Sequence, residues 1–175
     1  TTTATIIKLL DDPNIRICDT RKTTPGLRML EKYAVRTGGG YNHRYGLSDG
    51  VLIKDNHIAH AGSVAQAVEQ VRAKLGHMIK IEVETENLKQ VWEAINVAVD
   101  VIMLDNCSPE EAANYTSIIP PEIITELSGG INASNIAGYR GCGVDYISLG
   151  MLTHSVKALD ISFNLAGGDK YGTTN

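Results

Sequence analysis

The chain has 175 residues, 43% of them hydrophobic and 21% charged, and a formal net charge of −4. This is the profile of one globular domain that can bury a core without disulfides or a structural metal. No apolar run is long enough to span a membrane and no signal-like start is present, so we expect a cytoplasmic protein with no membrane partner.

The charge is unevenly distributed along the chain. From Arg16 to His60 eight Lys or Arg residues face four acids, which is a net +4 and leaves −8 for the remainder. A locally basic segment in an acidic chain predicts a confined anion site rather than a nucleic-acid surface. The three cysteines are widely spaced and lack a C-x-x-C pair, so we expect reduced thiols and no zinc site.

The hydrophobic pattern alternates between strands and helices after a helix-like start, TTTATIIKLL. Short β-branched runs predict six strands, at 15–18, 50–54, 79–84, 100–105, 122–128 and 144–150. Helical spacing lies between them, at 27–36, 63–75, 87–97, 109–117 and 134–140. We expect helix caps at Thr24, Ser63, Ser108 and either Asn132 or Ser134.

Strands joined by crossover helices must be parallel, and six such units without a nucleotide-binding glycine motif predict a β/α barrel or a barrel fragment. We assign residues 1–165 to this barrel and residues 166–175 to a polar, disordered tail. Both ends suggest a piece of a longer polypeptide. In a barrel the loops after the strands build the active site, and here every strand is followed by polar or charged groups.

The cationic candidates follow the first two strands. Arg21 and Lys22 lie in DTRKTTPG, where a capped helix entry is the simpler interpretation of the stretch alone. His43, Arg44 and Lys54 follow in GGGYNHRYGLSDGVLIKDNH, whose three glycines allow the backbone to approach a ligand. Lysine directed into a barrel needs a partner or an anionic ligand, although at the rim it can extend into solvent.

The acidic candidates follow the next two strands. In IKIEVETE, Ile79, Ile81 and Val83 alternate with charged residues, so the charged face should look into the barrel. Lys80 and Glu82 could pair deeper in the barrel, while Glu84 lies nearest the rim. Asp105 ends VIMLD, and two carboxylates at neighbouring strand ends suit sugar hydroxyls or a Mg²⁺ that keeps most of its water.

The last two strands offer a phosphate cradle. Ser128, Gly129 and Gly130 stand at a strand end before a helix, where backbone N–H groups can approach an anion. Gly150 ends the next strand and His154 lies four residues further on. Phosphate sites on the last two strands are common in such barrels.

Ordered blocks of this sequence resemble the quinolinate phosphoribosyltransferase family, also called carboxylating nicotinate-nucleotide pyrophosphorylase. The resemblance runs from about Ile15 to Phe163 and is carried by DTRKTTPGLRMLEKYAV, GGGYNHRYGLSDGVLIKDNHI, KIEVE, IMLDN, SGGI and DYISLGMLTHS. It implies a type II phosphoribosyltransferase barrel, open-faced and seven-stranded. The implied reaction joins quinolinate to phosphoribosyl pyrophosphate and yields nicotinate mononucleotide, pyrophosphate and CO₂.

The resemblance also implies roles for the candidate residues. Binding of the quinolinate carboxylates and the pyrophosphate is implied for Arg21, Lys22, His43, Arg44 and Lys54, with catalytic parts for Lys22 and Lys54. Catalysis at the ribose, and contact with Mg²⁺ directly or through water, is implied for Glu84 and Asp105. Binding of the 5′-phosphate is implied for Ser128, Gly129, Gly130 and Gly150, with His154 nearby.

Family members carry an N-terminal α/β sandwich domain that this sequence lacks, and they form head-to-tail dimers in which that domain supplies an arginine to the neighbouring site. We therefore expect a homodimer or higher oligomer for the full-length protein, and weak or no activity for this chain alone. Three alternatives remain open at this point: a related transferase acting on nicotinate, a non-catalytic domain that binds phosphoribosyl pyrophosphate, and a barrel isomerase for phosphorylated sugars.

Overall fold

The computed structural model describes residues 1–164, so the predicted tail at 166–175 lies outside the described residues. The elements, in chain order, are α1 (Thr2–Leu10), β1 (Arg16–Cys18), α2 (Arg28–Thr37), β2 (Val51–Ile53), α3 (Asp55–Ala61), α4 (Val64–Arg72), β3 (Ile81–Thr85), α5 (Leu88–Asn96), β4 (Val101–Asp105), α6 (Pro109–Thr116), β5 (Ile124–Ser128) and β6 (Tyr146–Ser148). Short 3₁₀ turns cover Ile136–Tyr139 and Gly150–Leu152. All six predicted strands are confirmed.

The six strands form one parallel sheet in the order β1-β6-β5-β4-β3-β2. This is the cyclic order of a barrel with one junction unpaired, because within residues 1–164 no ladder joins β1 to β2. We call this unpaired junction the seam. The predicted open-faced β/α barrel is therefore confirmed, and the parallel direction brings all the strand carboxyl ends to one rim.

The helices pack their apolar residues against the outer face of the sheet, as the alternation in β3 predicts. Ile81 and Val83 are buried in the core, whereas Glu82 and Glu84 face the inside of the barrel. Register then fixes the rim: Asp105 on β4 lies opposite Ser128 on β5. If a strand shifted by one residue against its neighbour, its polar side chains would point into the apolar layer between the sheet and the helices. The alternating pattern therefore specifies the register strongly.

Two of the predicted helix starts are confirmed in detail. The Ser63 hydroxyl accepts a hydrogen bond from Gln66 N at 3.1 Å. Ser108 forms a capping box with Glu111, in which each side chain accepts from the other residue's backbone N–H, and Pro109 occupies the first turn. These caps satisfy N–H groups that the first turn of a helix cannot pair internally.

Other local predictions were wrong. Thr24 does not cap α2, which begins at Arg28 because Gly26, at φ +78°, takes a left-handed conformation that the helix cannot include. The predicted helix at 134–140 is a 3₁₀ turn without a side-chain cap. Residues 55–61 form the unpredicted helix α3, whose first turn is closed by His57 Nδ1 accepting from Lys54 N at 2.9 Å.

Among residues 1–164, no helix combines the length and apolar character that a membrane crossing requires.

Candidate active site

A cavity of about 250 Å³ opens at the carboxyl ends of the strands. Its lining brings together predicted residues from five separate stretches of the sequence, namely Arg21, Lys22, His43, Arg44, Lys54, Glu84 and Ser128. The other predicted residues do not line this cavity and lie around its edge: Asp105, Gly129, Gly130, Gly150 and His154. The lining also contains Glu126, which the sequence analysis did not select.

Two arginines approach each other on one side of the cavity. The pKa of Arg44 is lowered by burial and by the positive charge of Arg21. Arg44 Nη1 donates to Gly50 O at 2.8 Å, while Arg21 Nε is buried and has no hydrogen-bond partner among the described residues. Two neighbouring guanidinium groups with a free buried donor fit a carboxylate or phosphate ligand.

The segment that carries Arg21 and Lys22 is fixed by contacts through its backbone. Arg28 Nη2 donates to Arg21 O at 3.2 Å, and Thr153 Oγ1 donates to Lys22 O at 2.7 Å. The Lys22 side chain reaches toward Gly150, because a Cβ placed on that glycine would lie 3.4 Å from Lys22 Cδ and 2.9 Å from His154 Nε2. Lys22 therefore lies between the arginines and the predicted phosphate cradle.

The acidic side of the cavity combines one ion pair with a second carboxylate. Lys54 Nζ lies 2.5 Å from Glu84 Oε2. The pKa of Asp105 is raised by burial and by the negative charge of Glu84, although Lys54 opposes this shift and Asn106 Nδ2 donates to Asp105 Oδ2 at 2.7 Å. Two like charges that raise a pKa in this way are a suitable environment for a divalent cation.

The Gly129–Gly130 pair forms a tight turn directly after β5. Both residues take left-handed conformations, with φ of +90° and +66°, which favour glycine. A Cβ on Gly129 would lie 2.9 Å from Asn106 N, so the backbone there runs too close to the β4 loop for any side chain. Such a turn exposes backbone N–H groups, as the cradle hypothesis requires.

Beneath the cavity lies a buried cluster of His43, Glu82 and Glu126. His43 Nε2 is 3.1 Å from Glu82 Oε2 and 3.5 Å from Glu126 Oε1. Burial, followed by the charge of Glu82, raises the pKa of Glu126 to about 7, while His43 opposes the shift. Lys80 is exposed, so its suggested pairing with Glu82 was wrong; Glu82 contacts His43 instead.

This cluster separates the rim cavity from a second cavity of about 290 Å³, which lies toward the amino ends of the strands. His43, Arg44 and Glu126 line both cavities. The signal for Glu126 was available in EIITELS, because Ile124, Glu126 and Ser128 share one face by the same period of two that identified Glu84.

The spacing of the side-chain oxygen and nitrogen atoms in this cluster would suit a metal ion, but the position of the proton on the His43 ring would not. One ligand atom from each of its three residues lies within 4.8 Å of the others. However, His43 Nδ1 accepts a hydrogen bond from Arg44 N at 2.8 Å, which leaves the hydrogen of the neutral ring on Nε2. A metal-bound histidine normally donates from its second nitrogen, so this arrangement favours contact of the His43 Nε2 hydrogen with Glu82 Oε2 over metal binding.

The family model described as quinolinate phosphoribosyl transferase, C-terminal domain, matches residues 1–164. The chain belongs to the quinolinate phosphoribosyltransferase family. Its curated relatives include a probable nicotinate-nucleotide pyrophosphorylase [carboxylating] of Bacillus subtilis, 57% identical over 94% of this chain and 57% of that protein. The enzyme of the same name from rat is 43% identical over 87% of this chain and 52% of its own length.

Solved structures of family members have the same fold as this chain. NadC from Streptococcus pyogenes is 49% identical and superposes with a TM-score of 0.88, over 91% of this chain and 56% of that one. The nicotinate-nucleotide pyrophosphorylase from Francisella tularensis is 44% identical, with a TM-score of 0.87 over 93% of this chain and 57% of that one. The chain thus spans a little over half the length of the relatives it matches.

Proposed function

We propose that the protein transfers the phosphoribosyl group of 5-phosphoribosyl 1-pyrophosphate to quinolinate, with decarboxylation to nicotinate mononucleotide. The observation that carries the proposal is the order of charges in and around one cavity: two neighbouring arginines, then a lysine–glutamate ion pair with a second carboxylate near it, then a glycine turn at the edge. The proposed reaction uses ligands that match these protein groups: a dicarboxylate for the arginines, a sugar diol for the carboxylates and a phosphate for the glycine turn. Family membership supports the same assignment.

The arginine side is assigned to the acceptor. Arg21 and Arg44 repel each other, because the positive charge of Arg21 lowers the pKa of Arg44. The two carboxylates of quinolinate would offset this repulsion. Lys22 lies between this side and Gly150, so we assign it to the pyrophosphate, whose departure leaves negative charge that a lysine stabilises. Lys54 remains within reach of an anion while it contacts Glu84, because its side chain is 48% exposed.

Glu84 and Asp105 are assigned to the ribose and to Mg²⁺, held directly or through water. Their fit to a divalent cation rests on their placement: Met103 on β4 lies opposite Glu84 on β3, and Asp105 is two residues further along the same strand, so both carboxylates are on the inner face near the rim. Bound Mg²⁺ would neutralise charge on the pyrophosphate. The carboxylates themselves stabilise positive charge that develops on the ribosyl carbon as the bond to pyrophosphate breaks.

The remaining steps rearrange bonds within the bound substrates. The pyridine nitrogen forms the new bond to the ribosyl carbon, and its ring becomes positively charged. The bond from ring carbon 2 to its carboxylate then breaks, CO₂ leaves, and the electron pair left on the ring takes up a proton. The 5′-phosphate stays bound throughout by Ser128, Gly129, Gly130 and Gly150, with His154 beside them. The reacting ribosyl carbon is therefore held in place.

We further propose a cytoplasmic homodimer or higher oligomer. Three buried cysteines without a disulfide fit a reducing compartment. Met29, Leu30 and Tyr33 on α2 are each more than half exposed, which fits a helix covered by another protein surface. Sedimentation at several protein concentrations would test the oligomer.

The decisive experiment incubates the full-length protein with quinolinate labelled in its 2-carboxylate, phosphoribosyl pyrophosphate and Mg²⁺, and measures released CO₂ together with nucleotide. Equal amounts of both products are expected. Nucleotide formed from nicotinate, with no CO₂ from quinolinate, would refute the proposed acceptor and identify the related non-decarboxylating reaction.

A further inference from the structure

Asp19 and Lys32 form a buried ion pair next to the seam. Asp19 directly follows β1 and is fully buried, and Lys32 on α2 is 2% exposed. Lys32 Nζ lies 2.5 Å from Asp19 Oδ1. Burying two charges is expensive, and apolar residues of similar volume would often serve stability equally well, so the pair calls for another explanation.

The other hydrogen bonds of the pair converge on the loop that enters the cavity. Asp19 Oδ1 also accepts from His43 N at 2.9 Å, and Lys32 Nζ also donates to His43 O at 3.0 Å. Asn42 Nδ2 donates to Asp19 Oδ2 at 2.6 Å and to Lys32 O at 3.0 Å. Both backbone polar groups of His43 are therefore fixed by this one charged pair.

The loop needs such an anchor because the seam gives it little sheet pairing. Tyr41 forms a single bridge to β1, with Tyr41 N donating to Ile17 O at 2.8 Å and Asp19 N donating to Tyr41 O at 3.1 Å. Beyond Tyr41, the part of the chain that the structure describes has no ladder until β2 begins at Val51. His43 and Arg44 lie within this unpaired stretch.

We propose that Asp19 and Lys32 are positioning residues that hold His43 and Arg44 at the acceptor end of the cavity. The inference rests on the proposed function and deepens it by assigning the pair to quinolinate rather than to phosphoribosyl pyrophosphate. Within residues 1–164, the side-chain hydrogen bonds of Asp19 and Lys32 go to each other and to residues 42–43. The pair thus acts on one half of the site.

The first test needs no substrate. Hydrogen–deuterium exchange of the chain is compared between the wild type and Lys32→Met, which removes the donor to His43 O. Exchange at residues 42–44 is expected to accelerate about tenfold or more, with little change at 128–130. Thr116→Val is the control, because it also removes a side-chain hydrogen bond to a backbone carbonyl, from the half-buried Thr116 Oγ1 to Cys142 O at 2.7 Å, away from the seam.

The second test measures binding of quinolinate and of Mg²⁺–phosphoribosyl pyrophosphate by calorimetry. Lys32→Met is expected to raise the quinolinate Kd about tenfold or more and to change the other Kd less than about twofold. The double variant Asp19→Asn with Lys32→Met removes the unpaired buried charge, so it should recover folding stability without recovering quinolinate affinity.

An unchanged exchange rate at 42–44, or an equal weakening of both ligands, would overturn the inference. If Lys32→Met does not fold, the double variant decides by the same measurements. A wild type that binds neither ligand would contradict the proposed function instead, and the exchange comparison would still decide whether the buried pair holds the loop.

Discussion

Lys54 Nζ lies 2.5 Å from Glu84 Oε2, which joins the residue after β2 to a carboxylate on β3 inside the cavity. The lysine side chain is 48% exposed and the glutamate 12%. A ligand anion can therefore reach Lys54 while Glu84 still holds it, and the carboxylate stays directed into the cavity. This pair links the acceptor side of the site to the ribose side.

Glu84→Ala is expected to lower turnover about hundredfold or more, because it removes the charge that we propose stabilises the ribosyl carbon and it also frees Lys54. Glu82→Ala should lower turnover less and folding stability more, since Glu82 is buried against His43. Steady-state kinetics and thermal unfolding of both variants, made in the full-length protein, check this. A larger loss of turnover in Glu82→Ala would refute the role given to Glu84.

Removing Mg²⁺ with a chelator should weaken binding of phosphoribosyl pyrophosphate and leave quinolinate binding unchanged. Asp105→Asn is expected to reduce the difference that Mg²⁺ makes, because it removes one of the two carboxylates that favour a cation there. Calorimetry with and without metal measures both effects. Glu110→Gln, an exposed change on α6, is the control; an Asp105→Asn protein with the full Mg²⁺ effect would contradict the prediction.

Gly129→Ala should weaken the affinity for phosphoribosyl pyrophosphate, because the added Cβ would crowd Asn106 N and displace the turn. Gly141→Ala supplies the matched control, since Gly141 has φ +73° but open space around its Cβ position. Both variants should lose about 1 kcal/mol of stability from the left-handed backbone. Equal affinities in the two variants would refute the cradle.

The unfolding free energy should fall as pH rises, because folding holds a proton on Glu126. Its pKa is about 7 in the folded protein, against an ordinary value of 4.5. The unfolded chain therefore binds fewer protons between these values, and stability is lost over this window by up to about 3 kcal/mol. Although burial opposes it, the pKa of His43 is raised by Glu82 and Glu126, which gives the same sign.

Glu126→Gln removes the ionisable group and should flatten this dependence. Urea unfolding at about pH 5, 6, 7 and 8 measures it, with the exposed residue Glu122 changed to Gln as the control. A Glu126→Gln protein with the wild-type slope would show that the carboxyl does not carry the effect.

Local patterns predicted most of the fold and much of the cavity. The alternation of Ile81 and Val83 with Glu82 and Glu84 was enough to place the carboxylates inside the barrel, because a strand has only two faces. Ser108 with Glu111 was similarly predictable as a helix start, since the cap depends on residues three apart.

The rest depends on contacts between distant parts of the chain. In the sequence Asp19 is only an acid among cations. In the fold it contacts Lys32 on α2 and His43 in the loop, and neither contact is predictable from local sequence. Helix α3 was missed because its seven residues are too few to show a clear period and polar groups dominate its first turn. Glu126 lies inside β5, two residues before Ser128 at the strand end, so a prediction that counts only the polar residues after each strand does not include it.

The unpaired seam makes the two halves of the proposed site separable in evolution. The donor half rests on strands whose register is locked, with Asp105 opposite Ser128. The residues proposed to bind the acceptor, Arg21, His43 and Arg44, lie between β1 and β2. No ladder joins these two strands within residues 1–164, so a change of loop length there alters no strand pairing. A barrel left open at this one junction can therefore tolerate remodelling of the loop that carries His43 and Arg44 while the strand pairs beneath the proposed ribose and phosphate residues stay as they are.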